Sequence, residues 1–315
     1  MKRPNRVRAG KTQATELSRL ATEQTNPASR DLDRKSSLAI AKIINAEDAK
    51  VAAAVKRALP EIARAIDLIA SALRRDGRLI YVGTGTSGRL GALDAAECPP
   101  TFNVAPDTVQ YVIAGGPKAL GAAVEADEDS RELGEREIAR KRPGKNDVVV
   151  GVAASGRTPF TIAAVEYARR QGAKAVAVTC NHGSALGRAA QVEIVLEVGP
   201  EVIAGSSRMK AGSAQKMVLN MLSSGAMTRL GYVYGNLMVN VNPKNSKLAE
   251  RGITILQWAA GIDRATAEAA LRAARRNVPV ALVMLKARVG RTVAARALRG
   301  SGGNVRQAIA RAKAK

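Results

Sequence analysis

The fold is decided by Arg78-Leu79-Ile80-Tyr81-Val82-Gly83-Thr84-Gly85-Thr86-Ser87-Gly88-Arg89. Residues 78–82 read as a short buried strand, because a continuous apolar run bounded by glycine leaves no polar face for solvent. The loop that follows is rich in glycine and hydroxyls. It leads into a helix through Asp94, which Pro99-Pro100 is expected to stop. Strand, loop and helix in that order open a parallel βαβ unit.

The same alternation continues outward. Further strands are expected at 109–114, 147–152, 175–179 and 192–198, with helical stretches at 119–140 and 161–171 and a long helix at about 209–230. This predicts an α/β fold with three layers, a mostly parallel sheet covered by helices on both faces. Residues 15–71 carry apolar positions at helical spacing, giving N-terminal helices. Beyond about 265 the chain turns to short Ala/Arg helices, a small C-terminal helical region. The expected organisation is a basic disordered arm (1–14), a main domain (15–262) and a helical domain (263–315).

Composition narrows the class. Of the 315 residues 46% are hydrophobic but only 3% aromatic, so the core must be close-packed small aliphatics. The formal charge of +23 raises a nucleic-acid partner. Much of the excess sits in the arm (Lys2, Arg3, Arg6, Arg8, Lys11) and in the tail from Arg272, without aromatics for base stacking or a zinc spacing. A solvated basic surface is the simpler reading. Cys98 and Cys180 make no disulfide framework and read as reduced thiols. No apolar run spans a bilayer and no apolar segment follows the basic N-terminus, so a cytoplasmic protein is expected.

Gly83 to Gly88 is literally G-x-G-x-x-G between strand and helix, the context of a dinucleotide site. The next strand, however, ends in Ala114-Gly115-Gly116, where that site needs a ribose-binding acid, and the loop carries more hydroxyls (Thr84, Thr86, Ser87) than a pyrophosphate cradle uses. A second loop, Ala153-Ala154-Ser155-Gly156-Arg157-Thr158-Pro159, repeats the chemistry after the 147–152 strand. Two such loops at the carboxyl ends of one parallel sheet suit a single sugar phosphate. Gly205-Ser206-Ser207-Arg208-Met209-Lys210 opens the long helix, and its cations either reach the same phosphate or cover a helix end. Among carboxylates, Glu97 falls near a helix C-terminus, where dipole and burial would raise its pKa toward that of a general base. An ordinary surface glutamate satisfies the same spacing. Glu125 and Glu128 share a face if 124–131 is helical. They lie in an acidic run, which equally reads as a solvated face. His182, the one histidine, lies in a turn and no ligand-spaced partner accompanies it.

Taken together, TEQTNPASRDLD (22–33), IYVGTGTSGRLGALDAAECPPTF (80–102), AVEADEDSRE (123–132), VVVGVAASGRTPF (148–160) and GSSRMKAGSAQKMVLNMLS (205–223) resemble the bacterial N-acetylmuramic acid 6-phosphate etherases. The resemblance runs in order from about 20 to 250. It implies the sugar-isomerase (SIS) fold, a homodimer, no cofactor and no metal. It also implies hydrolytic removal of D-lactate from a sugar phosphate during cell-wall recycling. Its acid–base glutamates fall on Glu97 and Glu128, with Glu125 as a sugar-hydroxyl ligand. Its substrate contacts fall on Thr86, Ser87, Ser155, Gly156, Thr158, Ser207 and Arg208. Phe102 departs from a common tyrosine, and the basic arm looks extra. Two alternatives share the architecture: a non-catalytic sugar-phosphate regulator, like the animal glucokinase regulator, and an aldose–ketose isomerase.

Overall fold

A computed structural model describes residues 20–124, 126–241 and 246–314. The basic arm and Glu125 lie outside the described residues. Five strands, β1 (Leu79–Gly83), β2 (Val109–Ile113), β3 (Val148–Val152), β4 (Lys174–Thr179) and β5 (Val192–Val195), form one sheet. The order is β2-β1-β3-β4-β5 and every pairing is parallel. All lie within a residue of expectation except β5, which ends three residues early. After β2 the chain crosses β1 to lay down β3 on its other side. The strand order therefore reverses between β1 and β3, the place where open α/β sheets form their ligand crevice.

Helices are numbered α1 (Ser37–Asp48), α2 (Val51–Arg57), α3 (Leu59–Leu73), α4 (Gly85–Phe102), α5 (Arg131–Ala139), α6 (Pro159–Arg170), α7 (Ala185–Arg188) and α8 (Lys210–Leu230). Side chains alternate across the sheet. Leu79, Tyr81, Val148 and Val150 pack with α3, α4 and α8, while Ile80, Val82 and Val149 pack with α5, α6 and α7. Burying each such aliphatic contributes about 1.5–3 kcal/mol, so a sheet covered on both faces is the principal stabilising layer. It also fixes where the strand ends, and hence the loops, must lie.

Two local expectations fail. The prolines do not stop α4, which runs on through Phe102 and ends at Asn103 in the left-handed region (φ 53°). The Asn103 N–H closes on the Pro99 carbonyl at 2.9 Å, and Cys98 and Phe102 are buried. Packing and a left-handed cap outweigh two missing N–H donors so near the end. The helix expected over 119–140 is confined to α5. A 3-10 turn (Gly116–Leu120) and a loop come first, and the Ser130 hydroxyl caps α5 by accepting from Leu133 N–H. Glu128 thus sits in a turn, not on a helix face. Both cysteines are buried, and burial pushes each thiol up to about 12.

Toward the C-terminus, α9 (Ser246–Ala260), α10 (Arg264–Ala273), α11 (Val278–Ala287), α12 (Arg291–Arg299) and α13 (Val305–Lys313) share a second core with Val239 and Val241. Side chains of Asp263, Asn277 and Asn304 cap α10, α11 and α13.

The start of α8 is anchored by charge. Glu201 is fully buried and accepts from the N–H groups of Lys210 (3.0 Å) and Ala211 (2.9 Å), so a protein carboxylate occupies the positive end of α8. Lys210 is 1% exposed and its Nζ meets Glu47 Oε2 at 2.5 Å. This cation is structural and does not face the crevice. Burial would raise the Glu47 pKa, but hydrogen bonds from Lys210, Lys50 and Asn26 outweigh it and hold the carboxyl at about 2, against 4.5. The stabilisation is therefore complete above pH 4.5 and lost as pH falls toward 2. Lys210→Met, which removes the buried cation beside Glu47 and leaves the carboxylate to the exposed Lys50 and to Asn26, should cost up to about 3–5 kcal/mol in denaturant unfolding at neutral pH. The loss should shrink as pH drops through that window. A loss independent of pH, or none, contradicts the assignment.

Candidate active site

β1 and β3 lie side by side with Gly83 paired to Val152, so the chain leaves the sheet at the same level from both. Beyond that level a cavity of about 270 Å³ opens. The first loop contributes Thr84, Gly85, Thr86 and Ser87, and the second Ala153, Ala154, Ser155 and Thr158. Ser207 comes from the loop before α8, Glu128 from the turn before α5, and Thr22 and Glu23 from the N-terminal segment. Among the described residues no lysine or arginine lines it, despite the basic chain. What these residues offer an anion is neutral donors.

The first loop is built to supply them. Thr84 is the N-cap of the 18-residue α4, yet its hydroxyl makes no capping bond. Ser36, Ser130 and Ser184, at other N-caps, each accept from the first turn of their helix. The N–H groups of Gly85, Thr86 and Ser87 likewise have no partner among the described residues. Three unpaired donors at the positive end of a long helix form an anion nest. Gly85 takes φ +48°, and a Cβ there would stand 3.3 Å from Glu128 Oε1. That carboxylate thus flanks one side of the nest. Phosphate is repelled by it, so the far side, toward Ser87 and the second loop, is where a phosphate fits.

The second loop offers hydroxyls more than backbone. Thr158, the N-cap of α6, also makes no capping bond, but Pro159 has no N–H and Phe160 N–H donates to the Glu128 carbonyl at 3.1 Å. That bond ties the Glu128 turn to α6. Ser155 Oγ accepts from Arg157 N–H at 3.2 Å, leaving its own proton for a ligand. Ser87 Oγ lies 2.9 Å from Gln215 Oε1 on α8, and Gln215 Nε2, buried, has no partner among the described residues. Turning that amide over would let it donate to Ser87 and free the serine proton for an anion.

A larger cleft of about 680 Å³ lies at the opposite, amino ends of β1 and β2. Its arginines are committed elsewhere. Arg78 grips Asp147 (2.7 Å), Arg74 donates to the Arg229 carbonyl (2.9 Å) and Arg229 pairs with Asp67 (3.3 Å). Volume alone does not make it the site.

Residues 61–169 match the glucokinase regulatory protein N-terminal SIS domain, and 141–224 match the SIS domain. An N-acetylmuramic acid 6-phosphate etherase of Symbiobacterium thermophilum is 57% identical over 275 residues, 87% of this chain and 91% of that protein. One from Aeromonas hydrophila is 50% identical over 292 residues, 93% of this chain and 98% of that protein. The chain belongs to the N-acetylmuramic acid 6-phosphate etherase family. A solved phosphoheptose isomerase from Francisella tularensis is similar over 62% of this chain and 100% of that one, with 20% identity and a TM-score of 0.48.

Against the etherase-family expectations, Thr86, Ser87, Ser155, Thr158, Ser207 and Glu128 converge on one cavity. Gly156 does not line it. Its φ is +66° and a Cβ would fall 2.4 Å from the Ser184 Cβ, so this glycine makes the turn that lets the loop pack on α7. Arg208 is exposed and outside the lining. Glu97 is exposed too, twelve residues beyond Gly85 on α4 and therefore roughly 18 Å further along the helix. Thr22, Glu23 and Gln215 were missed as site residues. The first two lie in the TEQTNP stretch, which marked the family without indicating a role.

Gly85→Ala tests the nest. An L-residue at this φ costs about 1–2 kcal/mol, and its methyl displaces the Glu128 carboxylate. Thermal unfolding should shift downward, and the protection given by inorganic phosphate should largely vanish. Wild-type melting and protection would contradict this geometry.

Proposed function

We propose that the chain hydrolyses the D-lactyl ether of N-acetylmuramic acid 6-phosphate to N-acetylglucosamine 6-phosphate and D-lactate, in cell-wall amino-sugar recycling in the cytoplasm. The observation carrying this reading is a cavity that no lysine or arginine lines among the described residues, where neutral donors suited to phosphate stand beside a carboxylate, in a chain 57% identical to a named etherase. No helix of the described residues is long and apolar enough to cross a membrane.

The chemistry follows from where the ether sits. Lactate is on C3, and opening the sugar ring gives an aldehyde at C1 that acidifies the C2–H. A glutamate removes that proton, the electron pair forms C2=C3, and the C3–O bond breaks as the ether oxygen is protonated. Water then adds across the double bond, hydroxyl to C3 and proton to C2. Held phosphate and sugar hydroxyls keep the chain in register, and such orientation is worth about 7 kcal/mol or more of barrier. In this scheme Thr86, Ser87, Ser155, Thr158 and Ser207 bind substrate, Glu128 activates the water and Glu97 is the base at C2. Glu97 lies too far along α4 to serve the cavity of its own chain. The scheme therefore calls for a homodimer in which each copy lends Glu97 to the other.

Purified protein mixed with N-acetylmuramic acid 6-phosphate should release lactate, and in heavy water the sugar product should carry deuterium at C2. Glu97→Gln and Glu128→Gln should each be nearly inactive. Co-expressed, they should recover part of the activity, because one mixed dimer contains one intact site. Unlabelled product refutes elimination, and absence of recovery refutes the shared site.

A further inference from the structure

Residues 20–35 take no part in the sheet, yet they reach its crevice. Ala21–Glu23 is one turn of 3-10 helix. Its Ala21 N–H donates to the Asn181 side-chain oxygen at 3.0 Å, and Asn181 Nδ2 donates to the Ala154 carbonyl at 3.1 Å. One amide thus clamps the turn onto the second phosphate loop. Just downstream, Asn26 Nδ2 donates to Glu47 Oε2 (2.9 Å) and to the Pro200 carbonyl (3.0 Å). Thr22 and Glu23 are held as a wall of the cavity by these bonds, none of which uses their side chains.

Thr22 is 2% exposed and its hydroxyl has no hydrogen-bond partner among the described residues. A valine would fill the same space without the loss of stability that a buried, unpaired hydroxyl brings. Thr22 is also among the residues that line the cavity, so a ligand seated there is the candidate for the missing partner. Glu23 is exposed and extends toward the loop that carries Ser207, with its Oε2 3.6 Å from where a Cβ on Gly205 would stand. A carboxylate cannot face a phosphate dianion without repulsion, so Glu23 belongs, with Glu128, to the sugar end.

We propose that the Ala21–Glu23 turn is a substrate-binding wall, in which the Thr22 hydroxyl donates to an oxygen of the sugar phosphate and the Glu23 carboxylate accepts from a hydroxyl or amide of the sugar. The inference rests on the sugar-phosphate reading above and adds two residues that set affinity and specificity.

The test uses the full chain, with N-acetylglucosamine 6-phosphate and inorganic phosphate as ligands, lactate release as turnover and thermal unfolding as the control. Wild type comes first: if it binds neither ligand and releases no lactate, the sugar-phosphate reading falls and this proposal with it. Given an active wild type, Thr22→Val should weaken N-acetylglucosamine 6-phosphate binding roughly tenfold. Its ligand-free melting temperature should be unchanged or higher, and Thr22→Ser should restore binding. Glu23→Gln should weaken the sugar phosphate but not inorganic phosphate. Thr22→Val with wild-type affinity, or with melting lowered as severely as binding, overturns the Thr22 assignment while leaving the activity standing. Equal loss of both ligands in Glu23→Gln overturns the Glu23 assignment.

Discussion

The parallel pairing of β1 with β3, Gly83 opposite Val152, is the constraint on which the rest depends. It places the loop before α4 and the loop before α6 at one level at the carboxyl edge of the sheet. Neither loop alone makes a binding site. The first supplies unpaired N–H donors at a helix start, the second supplies hydroxyls, and only adjacency brings them within reach of one phosphate. Topology produces that adjacency, because β3 is laid down on the side of β1 away from β2.

Charge acts in a way that the composition conceals. A chain with a formal charge of +23 lines its anion cavity with hydroxyls and carboxylates. Lys210, three residues beyond Ser207, is buried against Glu47, Arg208 between them is exposed and outside the lining, and Glu201 occupies the start of α8. A field from basic groups outside the cavity would act at long range and be screened by salt. In the proposed site, recognition of phosphate rests on fixed dipoles, which need no counter-charge.

Much of this was legible in the sequence because it is local. Buried strands are continuous apolar runs, and a strand followed by Gly83-Thr84-Gly85-Thr86-Ser87-Gly88 identifies a βα turn without reference to the rest of the chain. What was not legible is non-local. Nothing in Thr22-Glu23 indicates that Asn181, some 160 residues away, will pin them over the second loop. The end of α4 could not be read either, since the prolines that should have ended the helix early instead lie inside its last turn. Helix propensity is a weak prior there, and packing of Cys98 and Phe102 overrides it. Gly156, expected as a ligand contact, lies outside the cavity lining, and its positive φ and tight approach to Ser184 shape the turn. Pattern finds the loop; only geometry separates the residues that line the cavity from those that shape the backbone.

The most direct measurement is a crystal structure of this protein with N-acetylglucosamine 6-phosphate bound. The account predicts phosphate oxygens within about 3 Å of the amide nitrogens of Thr86 and Ser87 and of the Ser155 and Thr158 hydroxyls, with the sugar ring toward Glu128. A phosphate seated among the arginines at the opposite ends of the strands, or at the start of α8, would contradict it.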